Sequence, residues 1–438
     1  LDLAFIAVCA EDLPMSSKLS PPQRLTLDNG LTLIHQPRPH SGVVAIDVWI
    51  KAGAIVEPDE WSGMAHFLEH MIFKGSERVL PGIFDQAIES QGGMANAATG
   101  YDYAHYYLLV ASQHFATTLP YLAEILVHAA IPDASFDPER QVVLEEMRQC
   151  WDNPDYVAFQ QLGELIYTPH GYRRPILGTP ETLATFSPST MRQFHRAYYQ
   201  PENMTIVIVG DIDCDTTVDL IQQHFSCFAS PTTPPTYQPA AVPIIQRHRR
   251  QELQLPQVEE ARLILSWLTP GWGEDPQTAL HLGHCFDMLS VILASGRTSR
   301  LVQELLETRG LVYGIDANFS LQRDSGLFSI TAWLPEPELG AVEAILHDRL
   351  AELAQQPISP TELQRYQRLL CNEAAYSTEL SEQLAAVYGY YDLVGQLSAA
   401  WEYPQHILSL HPTAIRTAAA AYLQFNQSVV TLVRPSNA

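Results

Sequence analysis

Residues 187–211, "SPSTMRQFHRAYYQPENMTIVIVGD", return in outline at 411–435, "HPTAIRTAAAAYLQFNQSVVTLVRP", at a constant offset of 224. Pro188 lies over Pro412, Arg192 over Arg416, Ala197 and Tyr198 over Ala421 and Tyr422, and Gln200 over Gln424. Each copy reads as a helix opened by proline with Ser or Thr after it, closing in a β-branched run expected to be a buried strand. Between the copies runs "ASPTTPPTYQPAAVP" (229–243), whose prolines lack amide donors and favour extended backbone, so it reads as a linker. The chain therefore divides into an extension (1–19), a first half (20–228), a Pro-rich linker (229–245) and a related second half (246–438).

Within the first half, "QRLTLDNGLTLIHQP" sets two alternating runs around Asp28-Asn29-Gly30, a hairpin signal because Asn-Gly accepts positive φ. Helices are expected over 62–75, 82–91, 114–128 and 137–152, and a strand pair over 94–111. In the second half strands are expected near 261–268 and 311–334, with helices near 278–294, 299–308, 339–355, 360–376 and 380–396. The class is α+β, helices laid on antiparallel-rich sheets.

Of 438 residues, 46% are hydrophobic and 17% charged, against about 25% charged in typical domains. That composition suits a globular chain with large cores. Lys and Arg total 25 against 49 Asp and Glu, a formal charge of -24, which argues against a nucleic-acid partner. Such acidity attracts cationic ligands, and equally serves solubility. The six cysteines are scattered and form no CxxC pair, so neither a zinc ribbon nor a disulfide framework is indicated. No run of about 18 apolar residues is present to span a membrane. "LDLAFIAVCAED" at the start has an apolar run without a basic flank; residues 1–14 read as an upstream extension, and the expected location is cytoplasmic.

The chemistry is concentrated in "GMAHFLEHMIFKG" (63–75). On a helix His66 and His70 stand four apart and share a face, and Glu69 falls on the same side. HxxEH is the reversed form of the zinc-helix motif. Two histidines and a carboxylate in an apolar helix would be costly to bury without a partner, and a cation removes that cost. A catalytic zinc needs a third protein ligand and an open position for water. "DPERQVVLEEMRQCWDNP" (137–154) offers Glu139 and Glu146, two turns apart on one helical face with Val142 and Val143 between them, while Glu145 points elsewhere. On its own this segment reads equally as an acidic surface helix.

These two segments and their separation resemble the pitrilysin and insulinase family of inverted-motif zinc peptidases, in particular its mitochondrial processing peptidase branch. The family pattern has its third ligand 76 residues after the second histidine and another important glutamate seven before that; here those positions hold Glu146 and Glu139. "ANAATGYDYAHYYL" is similar to the family's substrate-edge strand, and "ASGRTSRLVQELLETRGLVYGI" (294–315) to its second-half signature. The resemblance covers the chain from about residue 20.

It implies two homologous α/β-roll-like halves forming a clamshell around a peptide chamber. It further implies zinc on His66, His70 and Glu146, Glu69 as general base, Glu139 supporting the site, and peptide pairing along the strand of Asn96 and Ala97. With the 224 offset, His66, Glu69 and His70 fall on Ser290, Leu293 and Ala294, so the second half has no metal ligands. Active single-chain relatives place an arginine seven residues before the tyrosine of "GLVY", and the pair binds substrate. Here the tyrosine is Tyr313 but Leu306 stands in place of the arginine, and Arg309 is one turn out of position.

Some relatives divide the work between a zinc-bearing subunit and a companion. The expectation is accordingly a zinc metalloendopeptidase of unfolded, preferably basic peptides, acting with a homologous partner subunit or as a homodimer. The other functions the fold could serve are a non-enzymatic core or assembly subunit and a peptide-binding chaperone.

Overall fold

The computed structural model describes residues 21–231, 238 and 240–436. The expected extension, with the apolar run at its start, and the middle of the Pro-rich linker lie outside the described residues.

In the first half, β1 (Gln23–Thr26), β2 (Thr32–Pro37) and β3 (Val43–Ile50) precede α1 (Met64–Ile72) and α2 (Ile83–Glu89). Then come β4 (Met94–Thr99), β5 (Ala104–Ala111), α3 (Ser112–Val127), α4 (Asp133–Asp152), α5 (Pro154–Tyr167), α6 (Pro180–Thr185), α7 (Pro188–Tyr198), β6 (Met204–Gly210) and α8 (Cys214–His224). The second half runs β7 (Arg249–Leu255), β8 (Ala261–Pro270), α9 (Pro276–Ala294), β9 (Gly314–Leu321) and β10 (Ser325–Leu334). It continues through α10 (Leu339–Gln355), α11 (Pro360–Tyr376), α12 (Ser381–Leu393), α13 (Ala399–Ser409) and α14 (Pro412–Tyr422) to β11 (Val429–Pro435). A π-helical turn, Val302–Thr308, stands where a helix over 299–308 was expected.

The sheets are ordered β1-β2-β6-β3-β5-β4 and β7-β11-β8-β10-β9. Strand for strand the second repeats the first without β1, and among the described residues the one parallel pair in each is the corresponding one, β2 with β6 and β7 with β11. Helices α7 and α14 keep the 224 offset end to end. β6, "MTIVIVG", is buried along its whole length, as a β-branched central strand with both faces covered should be. β4 is an edge strand, and one face of it stays in solvent.

The fold is the α+β clamshell of two homologous halves expected from the sequence, and the halves exchange a helix. From the second half, α12 lays Leu384, Ala385 and Tyr388 on Ile34, Ala45, Trp49, Val207 and Val209 of the first sheet. From the first half, α5 lays Ala158, Leu162, Ile166 and Tyr167 on Ile264, Leu327, Val429 and Val433 of the second. The two helices occupy equivalent places in the repeat, so the exchange is reciprocal. Each large apolar side chain buried this way contributes roughly 1.5–3 kcal/mol. Polar ties reinforce the seam: buried Asp392 accepts from Arg24 and from Thr205, each at 2.8 Å, and Asp102 accepts from the Tyr172 hydroxyl at 2.8 Å and the Arg323 amide at 2.9 Å.

Two local expectations change. Helix α4 starts at Asp133 and not at 137, because Phe136 stacks on Phe67 of α1 with ring centroids 4.8 Å apart and extends the packed face N-terminally. Helix α5 was not anticipated; its apolar face matches a sheet built from residues far along the chain.

A Cβ on Gly389, in α12, would fall on the buried Trp49 indole of the first sheet. Gly389→Ala is therefore expected to cost about 1–3 kcal/mol by overpacking the seam. A urea denaturation midpoint equal to that of the parent chain would refute this account of the contact.

Candidate metal centre

Helix α1 begins under unusual constraint. Gly63 precedes it with φ of 96°, and the Leu177 carbonyl and Gly178 lie too close to leave room for a side chain. The fully buried Glu57 carboxylate accepts the Gly63 amide at 3.0 Å and the Ala65 amide at 2.7 Å, satisfying N–H groups that a helix start leaves open. Burial pushes the Glu57 carboxyl up to about 8, against the pull of those amides and of Arg174. This cap sets the axial position of the two histidines that follow.

His66 is buried and His70 half-buried, their ring centroids 4.9 Å apart. Helix α4 crosses α1 with Phe136, Val143 and Met147 buried. It brings Glu146 Oε1 to 3.6 Å from His66 Nε2 and Glu146 Oε2 to 3.2 Å from His70 Nε2. One ligand atom from each of these three residues lies within 4.8 Å of the others, the one such group among the described residues. Two imidazoles and a carboxylate at this spacing fit zinc, which takes nitrogen and oxygen donors and leaves a further position open in catalytic sites.

Glu139 serves the same cluster from behind. Its Oε1 is 3.0 Å from His70 Nδ1 and its Oε2 2.6 Å from Lys74 Nζ, an arrangement that orients the imidazole and directs Nε2 toward Glu146. Val142, placed by the sequence on this inward face, is 50% exposed, while Val143 alone packs inward. Val142 and Val143 lie on opposite sides of the Glu139–Glu146 line, about 50° from it each, and the helix packs on the Val143 side, with Phe136 and Met147. Glu145 is solvated and paired with Arg148 at 2.6 Å.

Burial by itself would lower the pKa of His70, but the hydrogen bonds it donates to Glu139 and Glu146 push it up to about 9. Hydrogen bonds from His66 and His70 hold Glu146 far below the usual carboxylate range. Burial opposes the same trend at Glu139, yet His70 and Lys74 still hold it low. In the metal-free cluster the proton on His70, shared with Glu139 and Glu146, thus stands where a cation would.

Glu69 accepts from the Thr99 hydroxyl at 2.5 Å, which ties it to the end of β4. Asn96 and Ala97 lie on the same edge strand, and the Ala97 amide donates to the Asn96 side-chain oxygen at 2.9 Å. The edge is thereby blunted by its own side chain. No contact among the described residues joins Tyr313 to the centre; its ring is 58% exposed and its amide donates to the Trp333 carbonyl at 2.7 Å. Leu306 packs against the second core, and Arg309 is committed to Glu304 at 2.7 Å.

The repeat also shows what replaces the centre in the second half. At the 224 offset Glu69, Glu139 and Glu146 become Leu293, Leu363 and Leu370, all buried in one apolar cluster. Leucine there avoids burying carboxylates without a cation. Sequence reading missed Glu57, Thr99 and Lys74. Lys74 was accessible in principle, four residues beyond His70 in the turn that follows the motif helix; Glu57 acts locally from an irregular segment without a periodic signal, and Thr99 acts from 30 residues away with no local signature.

Residues 33–180 match the family model described as "Insulinase (Peptidase family M16)", and residues 185–370 the one described as "Peptidase M16 inactive domain". The chain is 29% identical over 346 residues to an uncharacterized zinc protease, YmxG, of Bacillus subtilis (strain 168), covering 78% of this chain and 81% of that one. A protease from Helicobacter pylori has a solved structure matching with a TM-score of 0.88 at 25% identity, over 95% of this chain and all of that one. The periplasmic protease PqqL from Escherichia coli matches in fold with a TM-score of 0.79 at 20% identity; 97% of this chain covers 48% of PqqL.

The His70 imidazole titrates above the 6.5 usual for histidine, so in the metal-free chain its ion pairs stabilise the fold fully below pH 6.5, and that contribution fades as pH rises through about 9. Zinc must displace that proton. Its apparent affinity, read by competition with a chromophoric chelator, is expected to rise about tenfold per pH unit between roughly pH 7 and 9 and then level off. A flat profile across this window would show that His70 is not a ligand.

Proposed function

This chain belongs to the insulinase (M16) family of peptidases, and from that membership and the geometry of its centre we propose that it is a zinc endopeptidase of unfolded peptides. The observation that carries the reading is the meeting of His66, His70 and Glu146 beside a restrained carboxylate, Glu69, at the end of the edge strand β4. Nothing in a purely structural subunit calls for that combination, which weighs against an assembly role.

When bound, zinc supplies Lewis acidity and brings the pKa of water down to about 7. The remaining steps belong to the chain. His66, His70 and Glu146 hold the ion, and Glu139, braced by Lys74, keeps the His70 ring in ligating orientation. Glu69 takes the proton of the attacking water and delivers it to the leaving amine; Thr99 fixes the carboxylate for that transfer. An extended peptide adds to β4, displacing the Asn96 side chain from the Ala97 amide and taking its place in main-chain pairing. Backbone pairing makes few demands on sequence, and the net charge of -24 favours basic peptides at low salt.

The chain further acts, in this proposal, as the zinc-bearing member of a pair, in the manner of processing peptidases. Leu306 cannot supply the guanidinium that the family resemblance calls for, and Arg309 is held by Glu304. That this chain covers about half of PqqL is in keeping with a larger assembly built from two such units.

Mass spectrometry of products from unstructured basic peptides tests the reading. Glu69→Gln is expected to lower turnover by about 10²–10⁴-fold with zinc content unchanged, and Thr99→Val by a smaller factor. Turnover equal to the parent in Glu69→Gln would sink the peptidase mechanism. Cleavage at full rate by the zinc-loaded chain alone would sink the need for a companion.

A further inference from the structure

The face of the first sheet turned away from α1 carries a pair of titratable groups that takes no part in the proposed hydrolysis. Asp47, on β3, is 1% exposed, and its two carboxylate oxygens lie 2.9 and 3.2 Å from Nδ1 of His105, on β5. A carboxylate accepts, so Nδ1 donates, and the imidazole is left with Nε2 as an acceptor. No hydrogen bond among the described residues engages that Nε2.

Aromatic rings gather around the pair. Trp49 stands directly across from His105 on β3 and stacks on it at 4.6 Å and 30°; Tyr107, next on the same side of β5, stacks at 5.8 Å and 27°. Helix α12 rests on Trp49 and walls off the far side of this platform. The near side is the edge strand β4, where the residue across from His105 is Ala98, exposed and offering only a methyl group. Asn96, also exposed, stands across from Tyr107.

Residues opposite one another on adjacent strands share a face of the sheet. A peptide joined to β4 therefore directs the side chain of its residue opposite Ala98 toward His105, two strand spacings or about 9.5 Å away. A short side chain ends above the Ala98 methyl. A lysine or arginine crosses it, lays its stem on the rings, and brings its N–H groups within hydrogen-bonding range of Nε2, with the Asp47 carboxylate behind.

We propose that Asp47, His105 and Tyr107 form a subsite for a basic side chain of the peptide, carried by the residue opposite Ala98. The inference rests on the reading of β4 as the strand that peptide joins. It gives the preference for basic peptides a place in the site, where net charge supplies attraction at a distance only. Peptide residues on either side of that one point to the α1 face and meet no such demand.

The test is binding of a fluorescent, unstructured peptide with one central lysine, and of its norleucine counterpart, to the zinc-loaded Glu69→Gln chain. Anisotropy is read at about 0.15 M salt, where charges more than about 8 Å apart are largely screened. The lysine peptide is expected to bind about tenfold more tightly. Asp47→Asn is expected to abolish that difference while norleucine binding stays, and Ala98→Phe, an exposed change, to bring the lysine peptide down to the norleucine level. A fold damaged by Asp47→Asn weakens both peptides alike, so the ratio reports the subsite. Equal binding of the two peptides by the Glu69→Gln chain, or a lysine preference that survives both substitutions, would overturn the subsite alone. Binding of neither peptide would overturn the reading of β4, and the subsite with it.

Discussion

Helix α5 is held by a sheet to which it does not belong, and the metal centre depends on it. One residue, Asn153, separates α5 from α4, so the second half's grip on Ala158, Leu162 and Ile166 anchors the C-terminal end of the helix that carries Glu146. The other end of α4 is fixed by Phe136 against Phe67. Between these anchors the glutamates are set over the imidazoles of α1. The second half, without ligands of its own, therefore contributes to the geometry of the first.

The reciprocal seat of α12 on the first sheet makes this a closed arrangement. Trp49, on β3, packs under α12 and also lies 4.6 Å, centroid to centroid, from the Tyr103 ring next to the β4 edge. Asp102, in the turn between β4 and β5, is grasped by the Arg323 amide of the second half. Disturbance of the seam is thus carried toward the edge strand β4 and toward Thr99, which holds Glu69. A duplicated fold is economical in this sense: the copy that lost its chemistry keeps its place as support.

The same duplication displays the physical condition for burying charge. Where the first half places carboxylates opposite histidines, the second places Leu293, Leu363 and Leu370 in an apolar core. Buried carboxylates are tolerated only with cationic or hydrogen-bonding partners. In the first half the partners are His66, His70 and Lys74; in the second, where no such partners stand among the described residues, hydrophobic packing replaces the whole set.

Much of this could be read from the chain before it was folded. The offset of 224 between two helix–strand segments is a property of sequence order, and it carried the two-half α+β architecture. Helical periodicity put His66, Glu69 and His70 on one side of α1 and Glu139 and Glu146 on one side of α4, because side-chain direction in a helix follows from residue spacing alone. Spacing could not say which distant groups those faces meet. That Glu57 caps α1 and that Arg309 is spent on Glu304 are local contacts, but the course of the irregular backbone that makes them carries no periodic signal in the sequence. That Thr99 restrains Glu69 and that α5 fills the other half's sheet were decided by tertiary packing, contacts across the fold that only closure of the chain brings within hydrogen-bonding or van der Waals reach.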